Sequence, residues 1–289
     1  MSREFPHTVH KDGKSTAIKI TKQTLNHEIE NLDLSNAEIL FRSANNLFSQ
    51  GSYIQAINYY NRAEALVTGR GKYVAAINIS KARSYKNLGH EYANESVNFY
   101  EKAIHYSSGD QKEDLLTELG DYFFELKCYD KAEEKFQAAL EMNPKSEDAL
   151  CGLGNSLHAS GKIEEAIEQF EKAVEYKPDS WYGLLGLARS YSAQKKYELA
   201  ADAFNNFVEN YEIESEDKHI LIEAADACLK VQRYDDAKQH TKALGEIDTK
   251  SFAYNALVAK LKKAYIDVSD FPPPPYEEAK DSQSFSHQL

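Results

Sequence analysis

"LCGLGNSLHASGKIEEAIEQFEKAVEYKPDS", residues Leu150 to Ser180, packs small and large apolar residues at helical spacing and then stops at Pro178. Gly154 and Ala166 are small enough to let two antiparallel helices approach closely, while Leu150, Leu157 and Phe170 fill the space between them. Pro178 ends the second helix because it lacks an N–H donor, and Asp179-Ser180 supplies a cap for the next one. The same pattern stands 34 residues earlier, around Ala132, as Leu116, Leu119, Gly120, Phe123, Phe136, Ala139 and Pro144. It stands 34 residues later, around Ala200, as Leu184, Leu187, Ala188, Tyr191, Phe204 and Phe207, with Glu212 in place of the closing proline.

A fixed period of this length marks a stack of helical hairpins. At these positions the sequence resembles the tetratricopeptide repeat, a helix-turn-helix unit of the same period. Looser copies flank the three. One aligns Leu40, Ala44, Leu47, Ala56, Tyr60 and Ala63, and a second aligns Ala82, Tyr85, Ser96, Tyr100 and Ala103 across a stretched turn marked by Gly89 and Tyr92. A third aligns Leu221, Ala225, Cys228, Ala237 and Leu244, displaced by an insertion near "ESEDK".

The expected fold is therefore all-α, a superhelical solenoid of about six repeats over residues 36–248. A capping helix follows over 249–267, with Phe252, Ala256, Leu257, Leu261 and Ala264 on its apolar face and Lys260, Lys262 and Lys263 opposite; a stack needs such an end cap because its last apolar face would otherwise meet water. Residues 1–35 read as mostly disordered, with Leu25, Ile29 and Leu32 spaced for a short capping helix. Residues 268–289 read as a disordered tail.

Composition narrows the function. The 289-residue chain carries a net charge of −12, divided as 0 over residues 1–35, −8 over the middle and −4 over 267–289, which disfavours nucleic acid as a partner. No apolar run reaches membrane-spanning length, and no secretion signal opens the sequence. Cys128, Cys151 and Cys228 are dispersed, without a CxxC pair, and read as reduced, buried thiols; the expected location is the cytoplasm, or a host cytosol for a pathogen or symbiont protein.

Catalytic patterns are absent. "GRGK" at 69–72 lacks the glycine spacing of a phosphate loop and reads as a turn. Cys151 and His158 stand two helical turns apart, about 10 Å of rise, beyond the reach of a thiol-imidazole dyad. The reading is of a non-enzyme without cofactor or metal.

In the family that the repeats resemble, first helices line the concave face and hold partner peptides. The position after each small first-helix residue is Asn45, Arg83, Asp121, Asn155, Arg189 and Asp226, one per repeat. The arginines have the chemistry to pair a ligand carboxylate and Asn155 to bond a peptide amide; alternatively the rungs are solvated or pair with one another across repeats. The chaperone-tail clamp of some family members needs a lysine where this chain has Phe41 and Cys151, beside Asn45 and Asn155. The main site is expected around Asn155, His158, Tyr182, Leu185 and Arg189, over the small or apolar Cys151, Gly152 and Gly186.

After the body comes "FPPPPYEEAKDSQSFSHQL", residues 271–289. Consecutive prolines favour the polyproline II helix, a preformed ligand for aromatic grooves. Pro273, Pro274, Pro275 and Tyr276 resemble the PPxY ligand of WW domains, which implies recruitment of a HECT-type ubiquitin ligase. "YEEA" resembles a tyrosine-kinase site, and phosphate on Tyr276 would disfavour an apolar tyrosine pocket. The combined reading is an adaptor holding a client in its groove and a WW-domain protein on its tail. An assembly or co-chaperone factor using the groove alone, and a regulatory subunit of a separate enzyme, are the alternatives.

Overall fold

The computed structural model describes residues 8–11, 14–17, 22–67 and 69–272, with side chains from residue 33 onward. Two compact units divide the chain, residues 1–119 and 120–289. Apart from one short hairpin, the described residues are all-α, with thirteen helices.

The first unit begins with antiparallel strands β1 (Thr8–Lys11) and β2 (Lys14–Ala17), paired from Thr8 opposite Ala17 to Lys11 opposite Lys14. This differs from the expected disorder: Asp12-Gly13, which separates the strands in sequence, is a strong hairpin signal. Helix α1 (Lys22–Ser49) also starts earlier than expected and runs for 28 residues into the first repeat, so no separate capping helix forms. It pairs with α2 (Tyr53–Leu66), and α3 (Gly71–Leu88) pairs with α4 (Ala93–Tyr106). The stretched turn of the second pair holds a 3-10 turn, His90–Tyr92, after Gly89 at φ 117°; Tyr85 packs over it, 6.0 Å from Tyr92 and stacked 5.4 Å from Phe99.

Helix α5 (Asp110–Glu125) carries the chain into the second unit. There α6 (Tyr129–Met142), α7 (Glu147–Ala159), α8 (Ile163–Tyr176), α9 (Trp181–Ala193), α10 (Tyr197–Asn210), α11 (His219–Lys230) and α12 (Tyr234–Ile247) follow in register. Ser180 caps α9, its hydroxyl accepting from Gly183 N at 3.0 Å. Two second helices, α6 and α8, each bury one aromatic ring against glycines. A Cβ added at Gly120 or Gly152 would lie 2.8 or 2.3 Å from the Phe136 ring, and one at Gly154 or Gly186 would lie 2.7 or 2.4 Å from Phe170. Each ring thus sits against the first helix of its own repeat and that of the next.

Helix α13 (Phe252–Lys263) closes the unit. Its buried face is Tyr254, Leu257 and Leu261, whereas Phe252, expected on that face, is 89% exposed. Tyr254, two residues into the helix, takes the inward position and presses its ring against Gly245. The chain does not leave the body at residue 268. Ile266, Val268 and Phe271 pack on the core, and Pro272 is the last described residue.

Each tight turn between the helices of a repeat needs one left-handed residue. Lys127, Gly161 and Lys195 fill this role at φ 58°, 84° and 61°, again 34 residues apart. Glycine adopts this conformation freely, but a lysine costs about 1 kcal/mol. Lys195→Gly should therefore raise unfolding stability by about 0.5–1 kcal/mol, read as a higher denaturant midpoint at unchanged slope. A lower midpoint would show that the lysine side chain makes a stabilising contact.

Candidate functional site

The polar rungs lie on first helices and share a spacing of about one repeat, but most are already engaged. In the first unit, exposed Asn45 on α1 accepts a hydrogen bond from the Tyr60 hydroxyl at 2.6 Å, which directs its amide nitrogen away from the core. Arg83 on α3 forms a two-pronged bond to Glu118, at 2.8 and 2.7 Å, and Tyr100 donates to the same carboxylate at 2.7 Å. Burial pushes the Glu118 carboxyl up, but the bonds from Arg83 and Tyr100 outweigh it and hold the group below its ordinary range. Tyr60 and Tyr100 occupy the place that Phe136 and Phe170 hold in the second unit. Their extra oxygen is what fixes the rungs from beneath.

In the second unit, Arg189 on α9 makes the same fork with Glu223 on α11, at 2.9 and 3.2 Å. Asp226 on α11 pairs with Lys230 at 2.9 Å and with Lys260 on α13 at 2.8 Å. Those lysines outweigh the effect of burial on Asp226 and keep it ionised to lower pH than usual. Arg83 and Arg189, expected as receptors for a ligand carboxylate, are thus neutralised within the protein, each by a glutamate on the first helix of the following repeat and not by another rung. Asp121 is exposed on α5, more than a turn before its end.

Asn155 differs. It is half-buried on α7, and its amide makes no hydrogen bond or ion pair among the described residues. One turn on, His158 is half-buried, with Nε2 enclosed and unpartnered; burial first, and nearby Arg189 second, lower its pKa and favour the neutral ring. Tyr182, at the start of α9, is 60% exposed. Leu185, expected to touch a ligand, is 8% exposed and belongs to the core beneath, as do Cys151, Gly152 and Gly186. The structure thus brings Asn155 and His158 together on α7, beside α9 with Tyr182 and Arg189.

Two thiols are buried as expected, and burial raises Cys151 to about 12 and Cys228 to about 11. Cys128 is exposed, because it sits in the turn that precedes α6 and not in a helix interior. The proline-tyrosine stretch expected as a WW-domain ligand, Pro273 to Tyr276, lies outside the described residues. No helix among the described residues is long and apolar enough to cross a membrane.

Sequence reasoning missed Glu118, Glu223 and Lys260. Adding one period to Arg189 and Asp226 would have found Glu223 and Lys260, each 34 residues later, while Arg83 meets Glu118 35 residues later, one beyond the period.

The tetratricopeptide-repeat family model matches residues 117–181, 151–212 and 185–243. No curated protein matches the sequence. Among solved structures, that of the pilF product of Pseudomonas aeruginosa is similar at 17% identity and a TM-score of 0.58, covering 79% of this chain and 99% of that one. PilW, a widely conserved type IV pilus biogenesis factor, is similar at 15% and 0.57, covering 77% and 98%. The Cut9–Hcn1 hetero-tetramer of APC/C is similar at 16% and 0.53, covering 83% and 46%. At such identities the likeness shows the fold, a tetratricopeptide-repeat solenoid, and nothing of its partners.

If the rungs are structural pairs, Arg189 and Glu223 must be coupled in folding. Each is more than a third exposed, so screening limits the coupling to about 0.5–1 kcal/mol. A double-mutant cycle, Arg189→Ala with Glu223→Ala, should give that value at low salt and less at high salt. Strict additivity at low salt would return Arg189 to the pool of ligand-binding groups.

Proposed function

We propose that the protein is a non-catalytic scaffold that joins two protein partners, one held against the first helices of the second unit and the other on its proline-rich tail. The observation that carries the groove is Asn155. An amide with both its acceptor and its donors unspent, one repeat before the paired Arg189, can pair with the backbone of an extended or helical peptide. Small residues beneath it, Gly152 and Gly186, keep the floor low, and the exposed Tyr182 offers a ring to an apolar partner side chain. Since Arg83 and Arg189 are paired, the groove favours an internal segment of the client over a free carboxylate terminus.

The tail supports the second partner through Pro273, Pro274, Pro275 and Tyr276, the PPxY pattern that WW domains bind between aromatic rings. A WW domain of a HECT-type ubiquitin ligase is the partner class, which would place the client within reach of ubiquitin transfer. Two sites on one chain raise each partner's effective concentration at the other. The tetratricopeptide fold itself supports protein interaction and offers no constellation of acid, base or nucleophile to set against it.

Calorimetric titration of the whole chain with such a WW domain tests this reading. Binding in the micromolar range, abolished by Tyr276→Ala and unchanged by Asn155→Ala, is expected, about 8 kcal/mol in all. Equal heats from the parent and Tyr276→Ala, or none from either, would remove the tail and leave a groove-only assembly factor.

A further inference from the structure

We propose that residues 264–272 form a strap that docks the root of the tail on the end of the second unit and competes with capture of the prolines that follow. This rests on the reading of Pro273 to Tyr276 as a WW-domain ligand.

Tyr265 makes the reversal. It takes a left-handed conformation, φ 62°, just after Ala264, the C-cap of α13, and it is 97% exposed, so the residue turns the chain without contributing to the core. The strap then runs back over α12 and α13, held by three separate kinds of contact. Ile266, Val268 and Phe271 pack against buried side chains, with the Phe271 ring 6.4 Å from that of Tyr254. Asp270 bridges two lysines of α12, at 3.1 Å from Lys238 and 2.9 Å from Lys242. The Tyr254 hydroxyl donates to the carbonyl of Pro272 at 2.8 Å.

That last bond falls on the first of the four prolines. No residue intervenes between Pro272, which is held, and Pro273, which begins the ligand. A polyproline II strand advances about 3.1 Å per residue and presents a solvated backbone to its receptor. A domain of about 35 residues has a radius of gyration near 8–9 Å. A domain closing on Pro273 therefore meets α12 and α13 unless the strap lifts, and the carbonyl of Pro272 must give up Tyr254. Capture selects the lifted state, so the apparent dissociation constant rises by the inverse of the fraction already lifted.

The test compares one WW domain of a HECT-type ligase, by calorimetry, against a synthetic peptide of residues 268–289 and against the whole chain. The peptide should bind about tenfold more tightly than the whole chain, corresponding to a strap lifted in about a tenth of molecules. Asp270→Ala and Tyr254→Phe should each narrow the gap, as should raising salt from about 0.05 to 0.5 M, which screens the Asp270 bridges. Asp270 is on the surface and Tyr254→Phe keeps the ring, and an unchanged unfolding midpoint confirms that both variants fold. Equal affinity of peptide and chain, or a gap that neither variant changes, would overturn the strap while leaving the tail a ligand. A peptide that does not bind would overturn the ligand reading and the strap with it.

Discussion

The contact of Phe136 and Phe170 with paired glycines sets the spacing on which the second unit depends. Each ring fills a slot between the first helix of its own repeat and that of the next, and at Gly152 a single methyl group would intrude to 2.3 Å. Close-packed interiors tolerate such overlap poorly, so glycine is required there for its lack of a side chain and not for its backbone freedom. Because each ring touches two first helices, the contact fixes both the hairpin within a repeat and the step between repeats. A sequence period of 34 becomes a spatial period.

Once the step is fixed, charges on first helices recur at a constant separation, and Arg189 meets Glu223 as Asp226 meets Lys260. The first unit keeps the architecture with a different chemistry. Tyrosine replaces phenylalanine at the ring position, and its hydroxyl bonds the rung Asn45 through Tyr60 and, through Tyr100, Glu118, the partner of the rung Arg83. Its interior is also more polar: Lys81 is buried, bonded to Glu64 at 2.9 Å and lying 4.0 Å from the centre of the Phe99 ring. Only the lysine is taken out of water, since the Glu64 side chain keeps 33% of its exposure, so Glu64 reaches inward to neutralise a charge that would be costly to bury alone. Asn155 stands out against this background because the charged rungs Arg83, Arg189 and Asp226 are each paired with an opposite charge on another helix.

The helical hairpins were legible in the sequence because glycine, alanine and phenylalanine recur at one period and their sizes alone dictate packing. Less was legible where the period loosens. The Asp12-Gly13 hairpin and the long α1 precede the repeats, and Phe252 misled because the start of a helix can turn a large apolar residue to solvent when its neighbour Tyr254 fits the core better. The rungs were found individually, but their partners were not, since a partner is a property of two repeats and each repeat was read alone. The strap was hidden for another reason: Ile266, Val268 and Phe271 follow no helical spacing, and only the fold places them together.

The most direct test of the account is a double-mutant cycle of unfolding free energy with Gly152→Ala and Phe136→Ala. In the parent, the new methyl should cost about 1–3 kcal/mol by overpacking, despite alanine's better helix propensity. With the ring removed the slot is open, and the same substitution should be neutral or stabilising by up to about 1 kcal/mol. A penalty at Gly152 that persists in the Phe136→Ala background, so that the two changes add to within about 0.5 kcal/mol, would contradict the claim that the ring and glycine slot set the repeat step.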